Sequence, residues 1–155
     1  MPALGRRGGG WVALQLVLVA AIVAACVLGP RWGDAARGPL LVAGLVLAVA
    51  GAAAVAAAAR ALGPALTPFP RPSQAGRLVA SGPYRLVRHP LYAGGLLLLG
   101  GLSLAFSPLA LGATAVLAVV WALKLTVEER FLRATYPDYE AYCASTRHRL
   151  VPFVF

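Results

Sequence analysis

Three long stretches of apolar residues, almost free of charge, limit what this chain can fold into. They cover residues 11–28, 39–59 and 91–123. About 20 apolar residues in a helix are enough to cross the hydrocarbon core of a bilayer. The third stretch is too long for one straight crossing, and Pro108 near its middle is expected to break the helix. The pattern predicts an all-α integral membrane protein with about four transmembrane helices, over residues 11–28, 39–59, 91–106 and 109–127, the last two forming a tight helical hairpin.

Composition supports the bilayer as the solvent. Of the 155 residues, 60% are hydrophobic and 12% are charged, whereas soluble chains average about 45–50% apolar and about 25% charged residues. A globule this small could not hide so much apolar surface from water. A soluble multidomain protein, a disordered tail, a fibrous repeat and a disulfide scaffold are excluded. We therefore expect a single domain over residues 1–155. Neither Cys26 nor Cys143 indicates a disulfide or a metal site.

The positive charges predict how the chain is oriented. A net charge of +9 in a soluble protein would suggest nucleic acid as a partner. Here the cations lie beside the apolar runs, and residues 60–90 carry five arginines without an acid. Lys and Arg favour cytoplasmic loops. We therefore expect a multi-pass protein of the bacterial inner membrane, with both termini, the loop 60–90 and the tail 128–155 in the cytoplasm and no nucleic acid partner.

The first apolar run has an alternative interpretation. Residues 23–26, ending at Cys26, loosely resemble the cleavage site of a lipoprotein signal peptide. The apolar run continues past Cys26, however, and a second one follows at once. These features favour a retained transmembrane helix.

One cluster of polar residues lies just before the hairpin. Pro90 is suited to the first position of a helix, which places His89 at or beside the N-cap. A helix N-terminus offers free amide hydrogens and a partial positive charge, which suit an anion. Together with Arg88 and His89, this helix start predicts a pocket for a carboxylate or a phosphate. The alternative is a set of basic groups that merely contact lipid headgroups.

A second polar cluster follows the hairpin. Glu128 lies four residues after Lys124, so both side chains share one face of a helix. Acids at a membrane boundary are costly unless they are paired or used, and the chain has only five acids. Glu128 is therefore either half of an ordinary ion pair or a partner for a cationic ligand. Tyr136, Tyr139 and Tyr142 recur every third residue, as an interfacial aromatic belt or as a lid over a ligand.

Taken together, the two clusters resemble the isoprenylcysteine carboxyl methyltransferase family and the related membrane phospholipid N-methyltransferases. The resemblance covers roughly residues 62–153. The residues that carry it, in chain order, are 78–84, 88–94, Glu128, Glu129, Leu132, Tyr139, Tyr142, Arg149 and Pro152.

The resemblance implies S-adenosylmethionine as the cofactor. The residues it assigns to cofactor binding are Gly76, Arg77, Leu78, Val79, Tyr84, Arg88, His89, Pro90, Leu91, Tyr92 and Glu128. Arg88, His89 and the helix start can hold the cofactor's carboxylate, and Glu128 can hold a cationic part. The residues predicted to be catalytic are Lys124, Glu129 and Arg149, with Lys124 at a family position near the substrate that often holds Arg.

The function that the resemblance implies is methyl transfer to a lipophilic or small-molecule acceptor, through a carboxylate, a thiol or an amine. A carboxylate is already ionised near neutral pH and needs no general base. No soluble dinucleotide-binding glycine motif occurs in the sequence. Two alternatives stay open, namely a membrane reductase of the sterol-reductase type that uses NADPH and a non-enzymatic membrane assembly protein.

Overall fold

The structure, a computed structural model, describes residues 8–72 and 77–150, and this part of the chain contains helices and no strand. Five α-helices follow one another along the chain: α1 (Gly9–Leu28), α2 (Asp34–Leu62), α3 (Pro90–Phe106), α4 (Pro108–Thr135) and α5 (Tyr139–Ser145). Two short 3-10 helices, Gly63–Ala65 and Gly82–Arg85, interrupt the loop between α2 and α3. The predicted all-α membrane architecture is confirmed.

Helices α1, α2 and α4 are each long and apolar enough to cross a membrane. The 17-residue α3 is apolar but shorter. Ser107 alone separates α3 from α4, because Pro108 begins the next helix. Many apolar side chains on the outside of the bundle are exposed, among them Val17, Val46 and Val49 at 64–70%. In a bilayer these side chains contact lipid rather than water.

The helices α2 and α4 extend by several residues beyond the predicted transmembrane spans. α2 begins at Asp34 rather than at residue 39, with Pro39 in its second turn. α4 continues to Thr135 rather than ending at 127, because the following residues include good helix formers such as Glu, Arg, Leu and Ala. The predicted site residues Glu128 and Glu129 therefore lie on the last turns of α4, not at the start of a separate tail.

The helices α2 and α3 pack through a glycine seam, formed by Gly44 and Gly51 of α2 and by Gly94 and Gly101 of α3. A Cβ atom added at any of these four glycines would lie closer than 3.0 Å to backbone atoms of the facing helix. Small residues allow membrane helices to approach this closely, which increases dispersion contacts between them.

The other main contact joins α1 to α4. Its core is formed by Ile22 of α1 with Ala110, Leu117 and Trp121 of α4. A second buried cluster lies at the end of the bundle where α2 ends and α3 begins. There Tyr84, Tyr139 and Tyr142 pack against Ala58 of α2. This packing brings the loop before α3 and the short helix α5 against the ends of the membrane helices.

Candidate active site

A cavity of about 400 Å³ lies at this end of the bundle. Its volume is within the usual range for pockets that bind small molecules, roughly 300–1,000 Å³. The end of α2 and the segment 65–72 form one wall, and residues 77–92, α4 and α5 form the others. Of the predicted site residues, those that line it are Arg77, Leu78, Val79, Tyr84, Arg88, His89, Leu91, Tyr92, Lys124 and Glu128.

The remaining predicted residues lie elsewhere. Pro90 is buried as the first residue of α3 and does not line the cavity. Glu129 and Arg149 lie behind the wall, where they contact each other. Gly76 is outside the described residues.

Glu129 is the centre of a buried ionic cluster, called here the Glu129 cluster. Its carboxylate is fully buried and accepts hydrogen bonds from Arg88 Nε at 2.9 Å and from Arg149 Nη2 at 3.1 Å. His89 Nε2 lies 3.3 Å and Arg133 Nη2 3.6 Å from the same carboxylate. A buried carboxylate is tolerated only when partners of this kind surround it. The cluster ties the loop before α3, the end of α4 and the C-terminal segment together.

Arg88 also binds the C-terminal segment directly. Its Nη1 donates to the carbonyl oxygens of Thr146 and Arg147, each at 2.8 Å. The backbone N–H groups of Arg88 and His89 donate to the carbonyls of His148 and Arg149 at 2.9 Å. The guanidinium thus has a structural role that the sequence did not indicate, although Arg88 also lines the cavity.

The start of α3 faces the cavity, as the position of Pro90 predicts. His89 is the N-cap residue, and no side chain caps the first amide groups of the helix. Leu91 and Tyr92, whose amides belong to this first turn, both line the cavity. Uncapped amides at a helix N-terminus form a site for an anion.

Glu128 is the acid that lines the cavity. Its Oε2 accepts a hydrogen bond of 2.7 Å from the Tyr92 hydroxyl, and its Oε1 lies 3.9 Å from His89 Nδ1. Its side chain stays 22% exposed, unlike that of Glu129. The two adjacent acids are therefore used differently, one for internal ion pairs and one at the wall of the cavity.

Lys124 occupies another part of the wall and is 1% exposed. Its Nζ donates to Gln15 Oε1 at 2.6 Å and to the Pro68 carbonyl at 2.8 Å. The ammonium also lies 5.4 Å from the centre of the Tyr92 ring, within reach of a cation–π interaction. Lys124 and Glu128 share a face of α4, as predicted, but the Lys124 ammonium is hydrogen-bonded to neutral oxygens.

Tyrosines form an aromatic part of the cavity wall. Tyr84, Tyr136, Tyr139 and Tyr142 all line the cavity, so the side chains predicted to form either a belt or a lid face a cavity. The Tyr142 hydroxyl donates to the Tyr84 carbonyl at 2.7 Å. Burial raises the pKa of the Tyr84 and Tyr142 hydroxyls, so both remain neutral. Gly82, with φ of +59°, starts the turn that places Tyr84 here, in a conformation that favours glycine.

Sequence reasoning missed three parts of the wall. Gln15 is one of them. It interrupts the first apolar run, and a lone polar residue in a membrane helix was the feature of the sequence that could have indicated a role in the cavity. Trp121 lies one turn before Lys124, but in an apolar run it resembles any other core residue. The segment 65–72 is rich in proline and contributes Pro68 and Phe69. No motif indicated that it would fold over the cavity.

The sequence profile of the phospholipid methyltransferase family matches residues 40–139. This range covers most of the chain and includes the glycine seam, the start of α3 and the acids of α4. The chain therefore belongs to the phospholipid methyltransferase family, and three of its helices are long and apolar enough to cross a membrane.

A curated relative is the cobalt-zinc-cadmium resistance protein CzcN of Cupriavidus metallidurans, which is 44% identical over 73 residues. The aligned part covers 44% of this chain and 33% of the relative. The chain thus matches about a third of that protein's length. Within the described residues, no group of three or more His, Cys, Asp or Glu side chains is placed to hold a metal ion.

Proposed function

We propose that this protein transfers a methyl group from S-adenosylmethionine to a lipophilic or small-molecule acceptor at the membrane. The observation that carries the proposal is the pairing of Glu128 with the uncapped start of α3 at one cavity. S-adenosylmethionine, when bound, supplies an electrophilic methyl group on a sulfonium. The donor also bears a carboxylate and an ammonium, so its binding calls for an anion site and a cation site close together.

The described residues fit that requirement. The amides of Leu91 and Tyr92, with the cavity-lining His89, suit the carboxylate. The Glu128 carboxylate suits the ammonium, and Tyr92 fixes its orientation through the 2.7 Å hydrogen bond. Leu78, Val79 and the tyrosines provide apolar and aromatic surface for the adenine. The contribution of these residues to the reaction is to position the donor and exclude water, which lowers the barrier by pre-organisation.

The acceptor is proposed to reach the cavity from the bilayer. Helix ends and the apolar segment 65–72 surround the cavity, and Leu62, Leu66 and Phe69 supply an apolar lining. A lipophilic molecule could meet there a donor that arrives from the aqueous phase. The proposed orientation, from the arginines of residues 60–90, places this end in the cytoplasm of a bacterial cell. Labelling of Ser81→Cys and Ser145→Cys by a membrane-impermeant maleimide in inverted vesicles but not in intact cells would support it, with Cys26 and Cys143 replaced.

The cofactor assignment is tested by calorimetric titration of the purified protein with S-adenosylhomocysteine. Glu128→Gln keeps the shape of the side chain but removes its charge, and a charged hydrogen bond is worth about 1.5–3 kcal/mol. We expect affinity to fall roughly 10- to 100-fold. Glu140→Gln, which changes an exposed acid outside the cavity, should bind like the wild type. Wild-type affinity in the Glu128 variant would contradict the site, and binding of NADPH instead would favour a reductase.

A further inference from the structure

We propose that the end of the bundle opposite the candidate active site binds the phosphate of an anionic phospholipid. A second cavity, of about 140 Å³, lies there between the loop after α1, the start of α2 and the end of α3. In the orientation proposed above, it faces the outer leaflet. The proposal is independent of methyl transfer, because none of the residues that line this cavity lines the first one. The lining residues are Arg31, Trp32, Arg37, Leu41, Ala105 and Phe106.

The size of the second cavity limits what can bind in it. Pockets that enclose a whole small molecule usually measure roughly 300–1,000 Å³, so this one admits only a compact group such as a phosphate. The rest of the ligand has to lie outside. Leu41 lines the cavity, and Leu45 and Val49 follow it along α2 at intervals of four residues, 42% and 70% exposed. A phosphate in the cavity and acyl chains along this apolar stripe fit one lipid molecule.

Arg31 is held in place by the carbonyl ends of two helices. Its Nη1 donates to the carbonyl oxygens of Cys26 at 2.7 Å and Phe106 at 3.3 Å, and its Nη2 donates to that of Val27 at 3.2 Å. The guanidinium also lies 5.9 Å from the centre of the Phe106 ring. A guanidinium has five N–H donors, and these bonds use three of them. The other two remain for an anion, on a side chain whose position is already fixed.

Arg37 lines the same cavity but has no such partners. Within the described residues it makes no hydrogen bond and no ion pair. It lies near the start of α2, whose first amide groups are not capped by a side chain. A helix N-terminus carries a partial positive charge, so a cation here is unfavourable for the helix and adds to the potential that attracts an anion. Arginine can bind a phosphate through two parallel hydrogen bonds, and Arg37 has all its donors available for this.

The acids of the chain leave these two arginines with a positive excess. Four of the five acids lie between residues 128 and 140, at the opposite end of the bundle. Asp34 remains, three residues before Arg37 on the same face of α2. It does not line the cavity, and in the described part of the chain it forms no ion pair with either arginine. Even if Asp34 is counted in full, two guanidinium groups exceed it by one charge, which one phosphodiester balances.

Trp32 supplies a further donor. It lines the cavity, and its buried Nε1–H makes no hydrogen bond within the described residues. A buried donor without an acceptor carries a desolvation cost, and a phosphate oxygen in the adjoining cavity would offset that cost. Tryptophan is also typical of the membrane–water interface, which is the depth at which lipid headgroups lie.

The proposal is tested by native mass spectrometry of the full chain, released from detergent micelles. The delipidated protein is incubated with an equimolar mixture of phosphatidylglycerol and phosphatidylcholine that carry the same acyl chains and differ in net charge. We expect bound phosphatidylglycerol to exceed bound phosphatidylcholine about tenfold. Equal retention of the two lipids would overturn the proposal. Displacement of phosphatidylglycerol by an equal concentration of inorganic phosphate would indicate a site for the free anion and overturn the assignment to a lipid.

Variants locate the effect. Arg37→Gln removes the charge of a side chain that has no partner, so without added lipid it should unfold at the wild-type temperature, and the preference for phosphatidylglycerol should fall about fivefold or more. Arg60→Gln is the matched control, because it removes one exposed arginine from the other end of α2 and lines neither cavity. It should keep the wild-type preference. An equal loss in both variants would show a general effect of charge and overturn the site.

Trp32→Phe is the companion variant. It keeps an aromatic ring and removes the N–H group, and we expect it to weaken the retention of phosphatidylglycerol severalfold. Arg31 is left unchanged in these experiments, because its bonds to three carbonyl groups support the loop itself. Wild-type preference in both Arg37→Gln and Trp32→Phe would place the bound lipid elsewhere and overturn the proposal.

Discussion

Along the glycine seam, the backbones of α2 and α3 meet inside the membrane without a charged side chain between them. At the Glu129 cluster, one carboxylate gathers groups from the loop before α3, from α4 and from the C-terminal segment. In lipid, helices gain little from burying apolar surface, so close backbone approach and dispersion hold them together. Irregular segments have no such repeating surface, and here specific ion pairs fix their position. The part of the protein inside the membrane and the part around the candidate site therefore depend on different forces and should respond to different mutations.

The largest effect is expected from Glu129→Gln. Loss of the charge leaves Arg88 and its neighbours buried without a counter-ion, and breaking a buried pair in this way costs roughly 3–5 kcal/mol. Unfolding in mixed micelles should show this loss of stability, together with faster proteolysis at residues 77–89. Glu140→Gln removes an acid whose side chain is 71% exposed and should cost at most about 1 kcal/mol. Equal stability of the two variants would contradict the structural role given to the cluster.

A smaller loss is expected from Gly51→Ala in the glycine seam. The added methyl group would lie against the backbone of Leu98, so the helices must separate, at a cost of about 1–3 kcal/mol. The matched control is Gly112→Ala on α4, where nothing lies within 4 Å of the new Cβ. That change should be neutral or stabilise the protein by up to about 1 kcal/mol, because alanine favours helix. We therefore expect only Gly51→Ala to lower the free energy of unfolding, and an equal loss in both variants, or no loss in either, would argue against the close approach.

A loss of about 1 kcal/mol is expected from Tyr142→Phe, which removes the hydrogen bond to the Tyr84 carbonyl. This bond joins α5 to the turn before α3, so hydrogen exchange should increase in both segments and leave the glycine seam unchanged. Tyr136→Phe is the control, since the Tyr136 hydroxyl makes no hydrogen bond within the described residues. Unchanged exchange in the Tyr142 variant would show that the packing of the rings alone holds α5.

The smallest effect concerns Ser103 and Thr114, whose hydroxyls lie 2.8 Å apart between α3 and α4. Hydrogen bonds between membrane helices average about 0.6 kcal/mol in double-mutant cycles. A cycle of Ser103→Ala and Thr114→Val should give a coupling energy near that value. A coupling energy above about 2 kcal/mol would mean that polar contacts, and not only close backbone packing, stabilise the helices inside the membrane.

Much of the fold could be predicted because the bilayer simplifies the problem. Length and the absence of charge identify membrane helices, and Pro108 marked the turn between α3 and α4. Hydropathy falls at Glu128 while the helix continues to Thr135, so the apolar run indicates a transmembrane span but not where the helix ends. Apolar runs also do not say which helices are neighbours. The glycines of α2 and α3 are visible in the sequence, but their pairing depends on the three-dimensional arrangement.

The candidate site was partly predictable because its polar residues stand out between the apolar runs. Residues on either side of the hairpin carried recognisable chemistry, and many of them line one cavity. The different roles of Glu128 and Glu129 could not be predicted from the sequence. Successive residues of a helix point in directions about 100° apart. Which of the two acids meets which partner therefore depends on where Arg88 and Tyr92, some 40 positions away, lie in the folded chain. Gln15 was missed because it lies in a helix far from either polar cluster.

The close contact of α2 and α3 has a mechanical consequence for how the proposed acceptor would reach the cavity. These helices supply Leu62 and Tyr92 to its lining, and their spacing is fixed because the two backbones already touch. They therefore form a rigid side of the cavity, which cannot widen to fit a larger ligand. The proposed acceptor would then enter on the opposite side, where Gln15 of α1 and Pro68 of the segment 65–72 bind Lys124. We expect substitutions that loosen this segment to broaden the range of acceptor chain lengths that the cavity admits.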